Sequence, residues 1–287
     1  SRMWWVVQNP GSGHKIAFIS TNAEIKVMQF FFMLGLRKED ILLIKEPTRF
    51  DSIIVPDQSY YYQNGYKDKA MMAFNAIRDS VTPAGYKKVY LTRRKLNDIL
   101  NEEYFENYYR SLGYEIISPE DLPIEEQVAV MAGCEEVACT NGTLQHQILF
   151  CPDGVKLTVL NKVRQPFTQQ FWVNQARSAK CTFIDVAMNF LPHLHHESCY
   201  LLMPTTYWKQ YVAEQGRVFS SDDEVSVRDF VVDYRELWTR LMTKRSGTWL
   251  EAYKKFTLAD VVAGFHKYIL DCEIVQEDQK KLDDVFQ

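Results

Sequence analysis

The segment from Gly113 to Gly154, GYEIISPEDLPIEEQVAVMAGCEEVACTNGTLQHQILFCPDG, constrains the fold of this chain more than any other. It reads as a complete β-α-β-α unit. Gly113 closes a preceding helix, and Tyr114 to Ile117 alternates as a short strand. After the loop Ser118-Pro119-Glu120-Asp121, residues Ile124, Val128, Ala129 and Met131 recur at helical spacing. Gly133 ends that helix, where a positive φ is expected. Val137-Ala138-Cys139 is a small buried strand that runs into Thr140-Asn141-Gly142-Thr143. A second helix is predicted from there, carrying Leu144, Ile148, Leu149 and Phe150 up to Pro152-Asp153-Gly154. A strand that hands over through a glycine turn to a helix N-terminus makes a phosphate cradle. Unpaired N–H groups and the positive end of the helix dipole both face the ligand. In open α/β sheets, ligands sit at this carboxyl edge of the strands.

The residues before this unit read as another α/β layer. Trp4 to Val7 and Lys15 to Ile19 are strand-like, with Asn9-Pro10-Gly11-Ser12-Gly13 as the turn between them. Asn22 is placed to cap a helix from Ala23 to about Gly35, whose Ile25, Met28, Phe32 and Leu36 share a face. Ile41 to Ile44 and Ser52 to Val55 are two further short strands. Tyr60 to Tyr66 reads as an aromatic loop, followed by a helix near Asp68 to Arg78. Alternation of this kind predicts a parallel sheet covered by helices. Val81-Thr82-Pro83-Ala84-Gly85 reads as a hinge, and Ser220 to Asp271 as mostly helical. One stripe there is Val227, Phe230, Val231, Tyr234 and Leu237; another is Val261, Phe265, Tyr268 and Ile269. The expected organisation is an N-terminal α/β domain over 1–85, a second α/β domain over 86–220 and a helical segment over 221–287.

At 287 residues the chain can bury a sizeable core, enough for two domains. Its 33 Lys and Arg against 37 Asp and Glu leave a formal net charge of -4, which argues against nucleic acid as a partner. The apolar run Val27 to Leu36 falls well short of the ~20 residues a spanning helix needs. The start Ser1-Arg2-Met3 has no secretory pattern and is expected to lie inside a longer protein or after a tag. Cys134, Cys139, Cys151, Cys181, Cys199 and Cys272 show no C-x-x-C spacing, and several fall in apolar runs. A reduced, cytoplasmic protein is expected. Asn141-Gly142-Thr143 also matches a glycosylation sequon, but a glycan would not fit in the cradle.

The central segment resembles glycosyltransferase family 61. The resemblance runs ungapped from Ser118-Pro119-Glu120-Asp121-Leu122 through Glu126-Gln127-Val128-Ala129 to Asn141-Gly142-Thr143 and on to Phe150-Cys151-Pro152-Asp153-Gly154. Upstream, Val89-Tyr90-Leu91-Thr92-Arg93-Arg94-Lys95 is similar to the family's strand followed by Ser-Arg. It covers about residues 86 to 160 and is faint elsewhere. Where the family usually has His-Gly-Ala, this chain has Asn141-Gly142-Thr143, and His146-Gln147 replaces a usual Thr-Asn. Leu160-Asn161 stands where an acidic residue is frequent. The resemblance implies an α/β protein with two Rossmann-like domains of the GT-B type, the N-terminal one incomplete, followed by C-terminal helices.

It also implies a nucleotide-sugar donor, held without a metal or other cofactor by cationic side chains and helix N-termini. Arg93 and Arg94, just past a strand end, are placed to grip phosphate; from pattern alone they are a solvated basic patch. Asn141, Gly142 and Thr143 would supply the cradle, or merely cap a structural helix. His146 and Gln147 could reach a sugar hydroxyl, and Gln127 could face the donor; each also reads as an ordinary helix residue. For the acceptor's proton, Asp57 follows the expected strand Ile53-Ile54-Val55-Pro56, and His14 lies in a Gly-rich loop. Both have plain readings as turn residues, and the base could lie upstream of Ser1. Tyr60 to Tyr62 could stack on sugar rings or pack between domains. His193-Leu194-His195-His196-Glu197 has zinc-ligating residue types, but Leu191-Pro192 suggests a loop, and His195 and His196 are expected at the interdomain cleft rather than on a metal.

The expected activity is inverting transfer of a sugar from a nucleotide-sugar donor to a glycan or lipid-linked glycan hydroxyl, in bacterial surface-polysaccharide assembly. The protein would be cytoplasmic or peripheral to the inner membrane. The alternative is a catalytically silent glycan-binding or scaffolding domain. No G-x-G-x-x-G follows a strand, which argues against a dinucleotide enzyme.

Overall fold

The structure, a computed structural model, describes residues 2–19, 28–61, 65–93, 98–163, 167–189, 199–220, Asp223, Val225 and 227–243. The chain opens with helix α1 (Trp4–Gln8), strand β1 (Ile16–Ile19), helix α2 (Met28–Met33) and strand β2 (Ile41–Ile44). Strands β1 and β2 pair in parallel, with Ile16 opposite Ile41. Strands β3 (Tyr60–Tyr61) and β4 (Gly65–Tyr66) pair antiparallel ahead of helix α3 (Ala70–Asp79). Then come β5 (Lys88–Leu91), β6 (Ile99–Leu100), α4 (Glu102–Ser111), β7 (Glu115–Ile117), α5 (Ile124–Ala132), β8 (Glu136–Thr140) and a 3-10 helix, Thr143–Phe150. Strand β9 (Lys156–Asn161), α6 (Gln169–Ala176), β10 (Lys180–Asp185), β11 (Tyr200–Leu201), α7 (Thr206–Glu214) and α8 (Val231–Thr243) follow, and short 3-10 turns lie at Lys38–Asp40, Pro119–Asp121 and Val227–Phe230.

Five of these strands form a parallel sheet in the order β10-β9-β8-β5-β7. From β5 the chain steps one way to β7, then crosses back to β8 and continues outward to β10. Its direction therefore reverses between β5 and β8, which makes the crevice beyond their carboxyl ends the topological switch point. Side chains alternate across the sheet. Val89, Leu91, Val137, Cys139, Leu157 and Val159 meet Val130 and Met131 of α5 with Leu144 and Ile148 of the 3-10 helix. On the other face, Tyr90, Ala138, Leu160 and Ile184 meet Phe105 and Tyr109 of α4 with Trp208 and Val212 of α7. The central strands β5, β8 and β9 are largely buried on both faces and read as apolar runs, while the edge strands β7 and β10 are partly exposed.

Several local expectations give way to tertiary contacts. Trp4 to Val7 is helix, not strand: the amides of Val6 and Val7 reach the carbonyl of Met3 at 3.1 and 3.4 Å. The Trp4 indole donates to the Asp57 carbonyl at 3.0 Å, with the Lys69 ammonium 3.6 Å over its ring. Ser52 to Val55 is not a strand; Ile53, Ile54 and Val55 are exposed and unpaired with any described strand. In α2 the buried side chains are Met28 and Phe31, while Phe32 faces out, because Phe31 packs edge-on against Phe18 of β1. The segment after Gly142 is 3-10 rather than α-helical. Gly133 has φ −108, not a positive value; what it supplies is room, since a Cβ there would lie 3.3 Å from Pro83 Cβ. The same Pro83 segment is tied down by the Ala84 amide, which donates to the Ala129 carbonyl at 2.9 Å.

Phe150 stacks on Phe30 of α2 and meets Phe74 of α3 edge-on, both at 5.7 Å between centroids. Cys134, Cys139, Cys151, Cys181 and Cys199 are free thiols whose pKa values burial pushes up. Among the described residues no helix is long and apolar enough to cross a membrane.

Candidate functional site

Two carboxylates on the buried face of α4 build the first wall of the switch-point crevice. Glu102 and Glu106 lie one turn apart on the stripe that also carries Phe105 and Tyr109, so packing that stripe on the sheet drives both acids beneath β5. Glu102, 1% exposed, accepts the Tyr90 hydroxyl at 3.2 Å and the Arg93 N–H at 3.2 Å to Oε2 and 3.3 Å to Oε1. Glu106 accepts the Thr92 hydroxyl at 2.5 Å, and the Thr92 amide extends the ladder to the Ile117 carbonyl. The strand exit is thus held from below and from the side. Burial pushes the Glu102 carboxyl up to about 7, against the Arg93 amide, which pulls it down.

The Arg93 guanidinium spans the crevice. Its Nε is 3.7 Å from Glu120 Oε1, and its Nη1 is 3.9 Å from where a Cβ would stand on Gly142. Gly142 has φ 144 and ψ −156, a conformation essentially confined to glycine. Just before it, the Asn141 amide donates to the Leu160 carbonyl at 2.9 Å, and Asn141 Oδ1 accepts the Lys162 N–H at 2.9 Å. Lys162 follows β9 and is 6% exposed; burial lowers its pKa to about 8, while Asp98 and Glu102 support its charge and Arg93 opposes it. Arg93 Nε, Asn141 Nδ2, Thr140 Oγ1 and Asn161 Oδ1 are buried without a hydrogen-bond partner among the described residues. Such atoms are uncommon in a folded protein. Of these, Asn141 Nδ2, Arg93 Nε and the Thr140 hydroxyl can donate beside two cations, which is the chemistry an anion needs, while Asn161 Oδ1 can only accept.

The other sequence-predicted residues fall into separate groups. Gln147 donates to Gln127 at 3.4 Å, and Gln127 donates to the Leu122 carbonyl at 2.9 Å, so the pair bridges the 3-10 helix and α5. His146 Nδ1 lies 2.8 Å from Gln170 Oε1, and burial lowers its pKa. As that oxygen can only accept, Nδ1 carries the proton. His146 and Tyr60 line one apolar cavity of about 410 Å³ together with Trp4, Tyr66, Phe74 and Trp172. Asp57 has a side chain 71% exposed, between Lys67 at 3.6 Å and Lys69 at 3.8 Å. His14 is exposed, its ring 5.6 Å from that of Trp5. Arg94, Tyr62, His193, His195, His196 and Glu197 lie outside the described residues.

The family model for Glycosyltransferase 61 matches residues 7–158, more than half of the chain. The chain belongs to glycosyltransferase family 61. No curated protein matches it. The glycosyltransferase 61 match takes in both strand exits that meet at Arg93 and Gly142, and it ends within β9, short of Lys162. Membership supports glycosyltransferase activity, which in general joins a donor to an acceptor.

Sequence reasoning missed Glu102, Glu106 and Lys162 in this glycosyltransferase 61 chain. The signal for the acids was available: carboxylates one turn apart on the apolar stripe of a helix are buried with a purpose. Lys162 left no such trace, because only the sheet order sets the end of β9 beside that of β8.

Proposed function

We propose that this chain is an inverting transferase of the GT-B type that moves a sugar from a nucleotide-sugar donor to a glycan hydroxyl. Its setting would be bacterial surface-polysaccharide assembly, in the cytoplasm or at the inner face of the membrane. The observation that supports this most is the meeting of the Arg93 guanidinium with the glycine exit at Gly142, at a switch point. The donor's phosphates would lie on Arg93 and the main chain at Gly142 and Thr143, beside Asn141, whose own N–H is taken up by Leu160. Gln127, His146 and Gln147 would reach sugar hydroxyls by exchanging the hydrogen bonds they now make to Leu122, Gln170 and each other. In the transfer, the acceptor oxygen attacks the anomeric carbon from the face opposite the leaving group. The bond to the phosphate oxygen breaks, the nucleotide leaves with the electron pair, and the acceptor's proton passes to a base. Asp57 is the proposed base and His14 the second choice. The arrangement would work without a metal, because the phosphate charge is met by side chains and main-chain N–H groups.

A thermal-shift panel of nucleotides and nucleotide sugars, with and without chelator, tests this reading. A ligand that binds only the native state raises the melting temperature by an amount set by its concentration over its Kd. A shift with one nucleotide, indifferent to chelator and lost in Arg93→Ala, is expected. A flat panel sinks the donor site. The second reading, a catalytically silent glycan-binding module, draws on the engagement of the Asp57 carboxylate by two lysines. It predicts glycan binding without any donor turnover.

A further inference from the structure

We propose that Lys162 is a second phosphate-binding cation of the donor site, standing behind Arg93 at the end of β9. This rests on the switch point being the nucleotide-sugar site proposed above. Three observations carry it. The first is how Lys162 is held. Its N–H donates to Asn141 Oδ1 at 2.9 Å, and its carbonyl accepts from Asn189 Nδ2 at 2.7 Å. Asn189 is fixed in turn, its Oδ1 accepting the Leu201 amide at 3.0 Å. Two buried asparagines therefore clamp the main chain on either side, and the ammonium stands 4.2 Å over the Tyr200 ring. A lysine that only snorkelled to solvent would need no such clamp.

The second is its charge environment. Burying a lysine is costly unless its charge is met. Asp98 before β6 and Glu102 on α4 support its charge, as does the Cys139 thiol more weakly, and Arg93 at the β5 exit opposes it. Arg93 follows β5 and Lys162 follows β9; their charges are offset in part by Glu120 and by Asp98 with Glu102, and a ligand bearing two or more negative charges would engage both cations. The third is the unpartnered hydrogen bonding. Asn141 is 1% exposed and uses its Oδ1 on Lys162, which leaves Nδ2 a buried donor with no partner among the described residues. Arg93 Nε likewise makes no hydrogen bond among the described residues, although Glu120 Oε1 stands 3.7 Å away as its ion partner. The idle Asn141 Nδ2 and two cations beside one glycine turn make a phosphate site larger than Arg93 alone could provide. The sheet order brings this lysine to the crevice, at a position where the family resemblance gave no reason to look.

The test is titration of the whole chain with UDP, GDP, TDP and inorganic pyrophosphate, read by calorimetry, alongside melting temperatures of the unliganded proteins. Lys162→Met should weaken binding of whichever probe the wild type takes by between about 10- and 100-fold, the loss expected for a charge-assisted contact. Its unliganded melting temperature should fall as well, because Asp98 and Glu102 lose a buried partner, so binding is compared at a temperature where both proteins are folded. Lys162→Arg should restore binding. Wild-type affinity should also fall from roughly pH 7 to 9 as the ammonium deprotonates, whereas Lys162→Arg should lose less, keeping only the part that ionisation of Glu102 contributes. Should Lys162→Met unfold, that pair of pH profiles decides the matter by itself. Equal affinity in wild type and Lys162→Met, or parallel pH profiles, would make Lys162 a counter-ion of Glu102 only and overturn the proposal, leaving Arg93 and Gly142 as the donor site. If the wild type takes none of the probes, the donor site itself fails and this inference with it.

Discussion

Two glycines separate backbone need from space. Gly142 sits at φ 144, and a Cβ added there would be strained and would touch the Arg93 guanidinium at 3.9 Å. Gly133 has an ordinary negative φ and is crowded only by Pro83. We expect Gly142→Ala to cost about 1–3 kcal/mol in stability and to weaken nucleotide binding. Gly133→Ala should cost less and leave binding alone. Urea melts and a nucleotide titration of both variants check this; equal costs would mean that φ is not what Gly142 provides. The sequence pointed to both glycines but assigned the positive φ to Gly133. Periodicity marks where a helix stops, yet whether the stop needs a left-handed residue or an absent side chain depends on a neighbour fifty positions away.

At the scale of an element, α4 shows how one helix face serves both core and site. Phe105 and Tyr109 pack under the sheet while Glu102 and Glu106 hold the exit of β5. Burial raises the Glu102 pKa from 4.5 to about 7. In that window the folded state keeps a proton that the unfolded chain has released, so this group's contribution is full below pH 4.5 and is lost as pH rises through 7. The loss is on the order of 3 kcal/mol for such a shift. Glu102→Gln cannot titrate, so its stability should decline less than the wild type's between pH 4.5 and 7. Melting temperatures across that range test the point, and parallel curves for the two proteins would refute it. The 3-10 helix at Thr143–Phe150 is an element the sequence located without its type. Its apolar residues fit an α-helix equally well, and only packing against α3, α5 and α6 distinguishes the two.

At the scale of the molecule, Arg177 ties distant parts together. It is buried, and it donates to Asn75 of α3 at 2.7 Å, to Asp153 at 3.1 Å and twice to the Leu149 carbonyl. Burial lowers its pKa, with Asp153 opposing the shift. Removing it strands a buried carbonyl and the Asn75 amide oxygen. Arg177→Met should therefore destabilise by about 3 kcal/mol or more, while nucleotide affinity stays near wild type. A chemical melt with a parallel titration would detect either failure: an unchanged midpoint, or a binding loss matching that of Arg93→Ala.

The sequence by itself determined the α/β class, the β-α-β-α run from Gly113 to Gly154 and the family, because these depend on short-range periodicity and on motifs contiguous in the chain. It also placed Arg93 and Gly142 at strand ends. The tertiary structure alone decided that those two ends are neighbours, since strand order is a matter of long-range pairing. It also made Trp4 to Val7 a helix, because Asp57 and Lys69 offer that segment better partners than a strand would have. It left Asp57 on the surface between two lysines. And it set Lys162 beside Arg93, because sheet order, rather than any local pattern, brings the end of β9 to the crevice.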